Sequence, residues 1–340
     1  VVRPRTLPEL QGYGLDRADA KRLELRMRGA LSHLPPASTV DRQVETWTQV
    51  SRILVSEPSV RWNFDLHRDL YRWVYADRSQ EAGPGPAWVP APANAARSNV
   101  GRLMKKRGFS AYLELHRWSV EHREEFWADL VQEFGVVFRR PPQRILARSI
   151  DLARPDWFPG AELNIAESCF LADPEKIAIL AAWEGSPDHS RLTYRELRGL
   201  SARVASGLAA LGVGRGERVA LFMPMTPESV AIYLGTILAG RCVVGIADTS
   251  APPEFAKRAR IGGARAVFTI DAYVRDEKEH GVYEKVVAAD GPRAIVLPSH
   301  GEQETRTIRA GDVAWEDFLG DGKEFTAVPC RPSDPTNILF

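Results

Sequence analysis

Between Leu192 and Asp248 the apolar positions switch between two periods. Leu197, Leu200, Val204, Leu208 and Leu211 recur at helical spacing and predict one buried helix face. Thr193 and Glu196 form a T-x-x-E capping box at its start, and Gly212 is placed to end it in the left-handed conformation. Arg218 to Phe222 (RVALF) then reads as a short buried strand. Thr226 can cap a second helix with Pro227 at its first position, where a missing N–H costs nothing. That helix, Pro227 to Ala239, is apolar nearly all round, so both of its sides should be covered. Cys242 to Ile246 (CVVGI) is a continuous apolar run, the pattern of a strand buried on both faces. Helix, strand, helix and strand with short joints predict a parallel α/β sheet.

The flanking chain is less regular. Residues 1–82 read as helical and charged, with Val44, Trp47, Val50 and Leu54 on one face of a helix from Asp41 to Leu54. The prolines and glycines of Gly83 to Pro92 (GPGPAWVPAP) predict a linker or surface loop whose Trp88 can pack on a domain surface; a proline-rich ligand for another protein is the minor alternative. Ser119 to Gly135 is predicted as one helix, with Phe126, Trp127, Leu130, Val131 and Phe134 on one side. Further strands are expected at Ile177–Trp183, Ala266–Ile270 and Ala294–Leu297, and short helices at Phe255–Ile261 and Val282–Ala289.

Composition narrows the function. With 45 basic against 44 acidic residues, the chain has no electrostatic reason to seek nucleic acid. Cys169, Cys242 and Cys330 are an odd number and far apart, which fits a reducing compartment rather than a disulfide framework or a zinc site. Val230 to Ala247 holds one charge, Arg241, but Gly240-Arg241 divides it, so a buried helix plus strand is expected in place of a membrane span. Gly212, Gly214 and Gly216 do not make a dinucleotide fingerprint. There a strand enters the glycines and a helix leaves; here the helix comes first, and its C-terminal dipole repels phosphate. His116 and His122 are six apart, which does not place both on one metal. No phosphate-binding loop, nucleophile elbow or kinase signature is present. No catalytic residue and no metal ligand is assigned from motifs.

Several segments nevertheless occur in a telling order. SVEHREEFW (Ser119–Trp127), WFPGAELN (Trp157–Asn164), LTYREL (Leu192–Leu197) and GERVALFMPMTPE (Gly216–Glu228) resemble the N-terminal half of an AMP-forming acyl-CoA synthetase. SNVGRLM (Ser98–Met104), LNIAESC (Leu163–Cys169), VVGIADTSA (Val243–Ala251), RAIVLP (Arg293–Pro298) and TNILF (Thr336–Phe340) resemble the plant acyl-activating enzymes of the peroxisomal type. The resemblance implies an α/β fold: part of the large domain of adenylate-forming enzymes, its sheet mostly parallel, preceded by a helical region. The implied plan is a helical extension over 1–82, a linker over 83–107, an acetyl-CoA-synthetase-type N-terminal region over 108–172, and the first part of an AMP-binding domain over 173–340.

The same resemblance implies a two-step ligase. A small carboxylic acid attacks the α-phosphate of ATP, with Mg²⁺ offsetting charge, and the thiol of coenzyme A (CoA) then displaces AMP. In the family the triphosphate loop follows the strand that NILF (Asn337–Phe340) resembles, so the expectation is a part-length chain that forms no adenylate alone. A non-catalytic interaction scaffold is the alternative. Location in the peroxisome is implied by the subgroup only. For CoA, the resemblance places the adenine against Gly245, Ile246 and Ala247, and its phosphate near Arg275 and Lys278. The family's R-G-G-R is R-D-E-K here, and an exposed charged turn is the competing reading of Arg275.

Overall fold

The computed structural model describes residues 6–32, 39–147, 155–184, 189–299, 307–320, 322 and 324–340. The chain divides into two compact units, Val1–His116 and Arg117–Phe340.

In the first unit, α1 (Leu7–Gln11), α2 (Arg17–Ser32), α3 (Thr39–Ser56) and α4 (Phe64–Val74) surround one core. Trp47, Val50 and Leu54 of α3 are buried in it with Leu23 and Met27 of α2 and Leu66 and Leu70 of α4; Val44 is only partly covered. Glu57 is 3% exposed, and the guanidinium groups of Arg22 (2.8 Å) and Arg26 (2.9 Å) bind it, so the bond to Arg22 holds its carboxyl below the usual range. After the irregular segment Gly83–Ala91 come α5 (Pro92–Arg97) and α6 (Asn99–Arg107), then α7 (Tyr112–Glu121), within which the unit boundary falls. Trp88 does not pack as expected: it is 71% exposed.

The helix expected over Ser119–Gly135 is in fact two. The chain turns at His122 (φ −113, ψ 52), which closes α7 and opens α8 (Arg123–Glu133). Phe126, Leu130 and Val131 of α8 are half-buried, whereas Trp127 and the capping residue Phe134 stay exposed and Asp129 is buried, so the expected apolar side is covered only in part.

The second unit continues with a small antiparallel pair, β1 (Phe138–Arg140) and β2 (Glu162–Leu163), and a hairpin, β3 (Ile177–Ala182) and β4 (His189–Thr193). Then the predicted alternation appears: α9 (Tyr194–Ala210), β5 (Arg218–Phe222), α10 (Pro227–Leu238), β6 (Cys242–Gly245), α11 (Pro252–Gly262) and β7 (Ala264–Ile270). A second hairpin, β8 (Ala272–Arg275) and β9 (Lys278–Gly281), precedes α12 (Tyr283–Ala288), β10 (Arg293–Leu297), β11 (Val313–Ala314), α13 (Trp315–Phe318) and β12 (Asn337–Leu339).

Six strands form one parallel sheet in the order β11-β10-β7-β5-β6-β12. The caps are those the sequence predicts. Thr193 accepts from the Glu196 N–H (3.2 Å) while the Glu196 carboxylate accepts from Thr193 N (2.8 Å), and Gly212 takes φ 78. Phe222, Phe255, Phe268 and Ile295, all fully buried, fill the space between the sheet and its helices.

One side chain joins three segments of this unit. Asn164, 1% exposed, donates its amide to the carbonyls of Ile237 (2.8 Å), Leu238 (3.2 Å) and Val328 (3.0 Å), and its oxygen accepts from Ala166 N (3.2 Å). The carbonyls at the end of α10 thereby gain a second donor, beside the Gly240 N–H to Ile237 O and the Val328 N–H to Leu238 O (both 2.8 Å).

Candidate functional site

In open parallel sheets, ligands gather outside the carboxyl ends of the strands, where the connections leave in opposite directions. Here β5 leads through α10 to β6 on one side, while β7 leads to β10 on the other. Gly245 ends β6 and Ile246 and Ala247 open the loop that leaves it, while the hairpin following β7 contains Arg275 and Lys278.

Asp248 draws this loop and this hairpin together. Its Oδ2 accepts from Arg275 Nη2 at 3.4 Å, and its main-chain oxygen accepts from Lys285 Nζ at 2.9 Å. The Tyr273 hydroxyl also donates to Asp248; burial first, and then this carboxylate, push the phenol up to about 12. The Arg275 guanidinium lies 4.9 Å from the Tyr273 ring centroid, and the His280 ring stacks on Tyr273 at 5.3 Å. Ala247 is exposed, but Ile246 is 4% exposed, belongs to the core and gives its N–H to Leu221 O (3.1 Å), so of the two only Ala247 is open to a ligand.

Arg275 and Lys278 face each other across the hairpin, and Asp276 and Glu277 form its two-residue turn. Both turn residues have positive φ, 52 and 59, the pattern of a type I′ turn that favours Asn-Gly or Gly-Gly. Glu184 compensates. Its two carboxylate oxygens accept from Asp276 N (2.9 Å) and Glu277 N (3.0 Å), and these bonds, with the charge of Arg275, hold its carboxyl below the usual range. The turn is thus a small anion-binding concavity already filled by a carboxylate.

The residues fit a phosphate in kind, since a guanidinium, an ammonium and two adjacent backbone amides are its usual partners. A phosphate at the turn has to displace Glu184 and compete with Asp248 for Arg275. Asp248, Tyr273, Lys285 and Glu184 were not singled out from the sequence. Asp248 was findable, as a carboxylate directly after the loop; Glu184 lies 92 residues from its partner and left no local signal.

A separate cavity of about 550 Å³ opens at the amino ends of β5, β6 and β12, lined among others by Asn164, Arg215, Arg241, Cys330, Asp334 and Thr336. Arg241 is buried and donates to the carbonyls of Val213 and Ala239, so it serves the ends of α9 and α10.

Comparison with known proteins follows the same outline. The AMP-binding enzyme family matches residues 168–340, and the acetyl-coenzyme A synthetase N-terminus matches residues 112–169. The chain is 36% identical over 320 residues to the probable peroxisomal acyl-activating enzyme 17 of Arabidopsis thaliana, and 34% identical over 323 residues to the hexanoyl-CoA synthase of Cannabis sativa. Each alignment covers 87% of this chain and 44% of the relative. Among solved structures, the acetoacetyl-CoA synthetase of Streptomyces lividans superposes with a TM-score of 0.68 at 27% identity, covering 76% of this chain and 41% of that one. The chain therefore spans less than half the length of these relatives, and by sequence and by fold it belongs to the AMP-binding enzyme family.

Proposed function

We propose that this chain is the N-terminal portion of an AMP-forming acyl-CoA synthetase, and that the loop after β6 and the β8–β9 hairpin form part of its CoA-binding surface. The whole enzyme then converts a small carboxylic acid to its acyl-adenylate with ATP, and to the thioester with CoA. The observation that carries the local reading is Asp248, which binds the Gly245–Ala247 loop to Arg275 at the carboxyl ends of the strands. Gly245 and Ala247 offer backbone to an adenine ring, and the buried Ile246 between them anchors the loop to the core. Arg275 and Lys278 offer charge to a phosphate, with Lys278 making no ion pair among the described residues.

ATP and Mg²⁺ are assigned to no side chain here: the described residues hold no group of three or more His, Cys, Asp or Glu placed to bind an ion. Mg²⁺, when bound, would supply charge neutralisation at the triphosphate. The domain plan of 1–82, 83–107, 108–172 and 173–340 belongs to the same proposal. The family matches at 112–169 and 168–340 support its last two parts. The name of the Arabidopsis relative supports a peroxisomal location. No described helix is long and apolar enough to cross a membrane.

The test is calorimetric titration of the chain with CoA and with 3′-dephospho-CoA. Arg275→Ala with Lys278→Ala is expected to weaken CoA binding at least tenfold and to leave 3′-dephospho-CoA unaffected. Equal loss for both ligands, or no loss, would remove these two residues from the phosphate site.

A further inference from the structure

The proline-rich segment after α4 is held in an unusual way. Proline lacks an N–H and fixes φ near −65°, so the run Gly83–Pro92 has few donors and cannot join a ladder. Among the described residues, no backbone–backbone hydrogen bond involves residues 84–90. Three aromatic side chains take its carbonyls instead. The Tyr71 hydroxyl donates to Gly85 O (2.5 Å), the Tyr75 hydroxyl to Pro86 O (3.1 Å), and the Trp47 indole N–H to Ala87 O (2.6 Å). The rings form one cradle: Trp47 and Tyr71 meet edge to face at 5.2 Å, and Tyr71 and Tyr75 lie 4.8 Å apart. At the root of the segment Arg78 donates to Gly83 O (2.7 Å) and Ala82 O (2.8 Å).

Gly85 is the key of the fit. A Cβ at that position would lie 2.6 Å from the Tyr75 ring, so only glycine lets the chain lie this close. Three consecutive carbonyls read by two phenols and an indole, over a glycine flanked by prolines, is the chemistry by which aromatic-lined grooves bind extended proline-rich peptides.

We infer that the Trp47–Tyr71–Tyr75 cradle is a receptor for extended proline-rich segments, with Gly83–Ala87 as its resident occupant, and that a proline-rich stretch of a partner protein displaces this strap. Four observations argue for exchange. The contacts read backbone carbonyls, so any segment offering the same carbonyl spacing and a glycine fits. Lifting residues 85–87 breaks three side-chain bonds and no backbone ladder. Arg78 keeps the strap rooted at Ala82 and Gly83, ready to return. The buried Nη1 of Arg78 has no hydrogen-bond partner among the described residues, leaving one donor more than the resident strap uses.

The experiment uses the full chain and a synthetic peptide of residues 80–92, followed by fluorescence anisotropy of a dye on the peptide. In the Gly85→Val chain the resident strap is excluded from the cradle, and this chain is expected to bind the peptide at least tenfold more tightly than wild type. A peptide carrying Gly85→Val is expected to bind neither. Equal affinity of both chains for the peptide, or no binding by a Gly85→Val chain with wild-type circular dichroism, would overturn the proposal. So would a Gly85→Val chain that ignores the peptide but pairs with the wild-type chain in proportion to concentration, since the occupant would then be the strap of a second copy. Tyr71→Phe supplies the check that does not depend on the folding of that variant. It is expected to speed proteolytic cleavage within residues 83–92 several-fold, and an unchanged rate would show a strap that does not lift.

Discussion

The strap of the helical unit and the β8–β9 turn of the sheet unit are both short irregular segments fixed by side chains, but with opposite polarity. In the strap, neutral donors (two phenols and an indole) hold carbonyls. In the turn, one carboxylate holds two amides. The first arrangement carries no charge. Burial, together with Tyr71, pushes the Tyr75 phenol up to about 12, so its proton stays in place across the neutral range. The second is ionic, exposed and open to exchange with another anion. The same task of fixing an irregular backbone is therefore done once in a way that resists pH and salt and once in a way that responds to both.

The largest expected break in this comparison is Trp47→Ala. It removes a ring that is 5% exposed and part of the helical core, together with the bond to Ala87 O. A loss of about 3–5 kcal/mol is expected, read as a lower urea midpoint for the helical signal; a change below about 1 kcal/mol would mean that the cradle contributes little to that core. A smaller effect of the opposite sign is expected at the turn. Replacing Asp276 and Glu277 by glycine removes two side chains from left-handed backbone, where each costs about 1–2 kcal/mol. The flexibility of glycine returns part of that, so the hairpin should gain about 1 kcal/mol or less, with no change in the strap.

The smallest effect is expected from Glu184→Gln, which keeps one acceptor oxygen. One of the Asp276 and Glu277 amides should exchange with solvent faster, while the Tyr71 and Tyr75 contacts stay unchanged. Acid should do the same to the wild type. The Glu184 carboxyl is held below its ordinary value by the two amides, so its contribution is complete above pH 4.5 and is lost as the pH falls below that. Amide exchange at Asp276 and Glu277 that is flat from pH 7 to pH 3, after correction for intrinsic rates, would show a turn that holds itself.

The sequence made the sheet unit far more legible than the helical one, for a physical reason. Buried parallel strands are short continuous apolar runs, and β5 was bounded to the residue from RVALF alone. Capping boxes are local too, so Thr193–Glu196 was found with its bonds. The break at His122 was missed because hydrophobic spacing runs through it: Trp118 and Phe126 still meet edge to face at 6.1 Å across the bend. Trp88 was misread because a large ring suggests packing, whereas the strap is held by its carbonyls and leaves that ring outside.

At the candidate site, Arg275 and Lys278 were singled out through family resemblance, as were Gly245, Ile246 and Ala247. The carboxylates around them were not. Asp248 meets Arg275 across 27 residues and Glu184 meets the turn across 92 and 93, and side-chain pairing at such separations has no periodic trace. The departure from R-G-G-R to R-D-E-K is better understood with Glu184 in view. The two non-glycine residues keep the left-handed turn that glycines would adopt unaided, because an acid from the β3–β4 connection receives their amides.

Asn164 has a further consequence for how this protein can be divided. The two family matches meet at residues 168 and 169, which invites a cut there. Yet the carboxamide that seals the Ile237, Leu238 and Val328 carbonyls lies on the far side of that border. A sheet unit begun after it would keep the Gly240 and Val328 N–H bonds to Ile237 O and Leu238 O but lose the amide that ties those two carbonyls to Val328 O. The frontier between the two families is a feature of their sequences, while the folded molecule is sewn across it by the Asn164 amide and by the paired backbone bonds of Leu163 and Cys330.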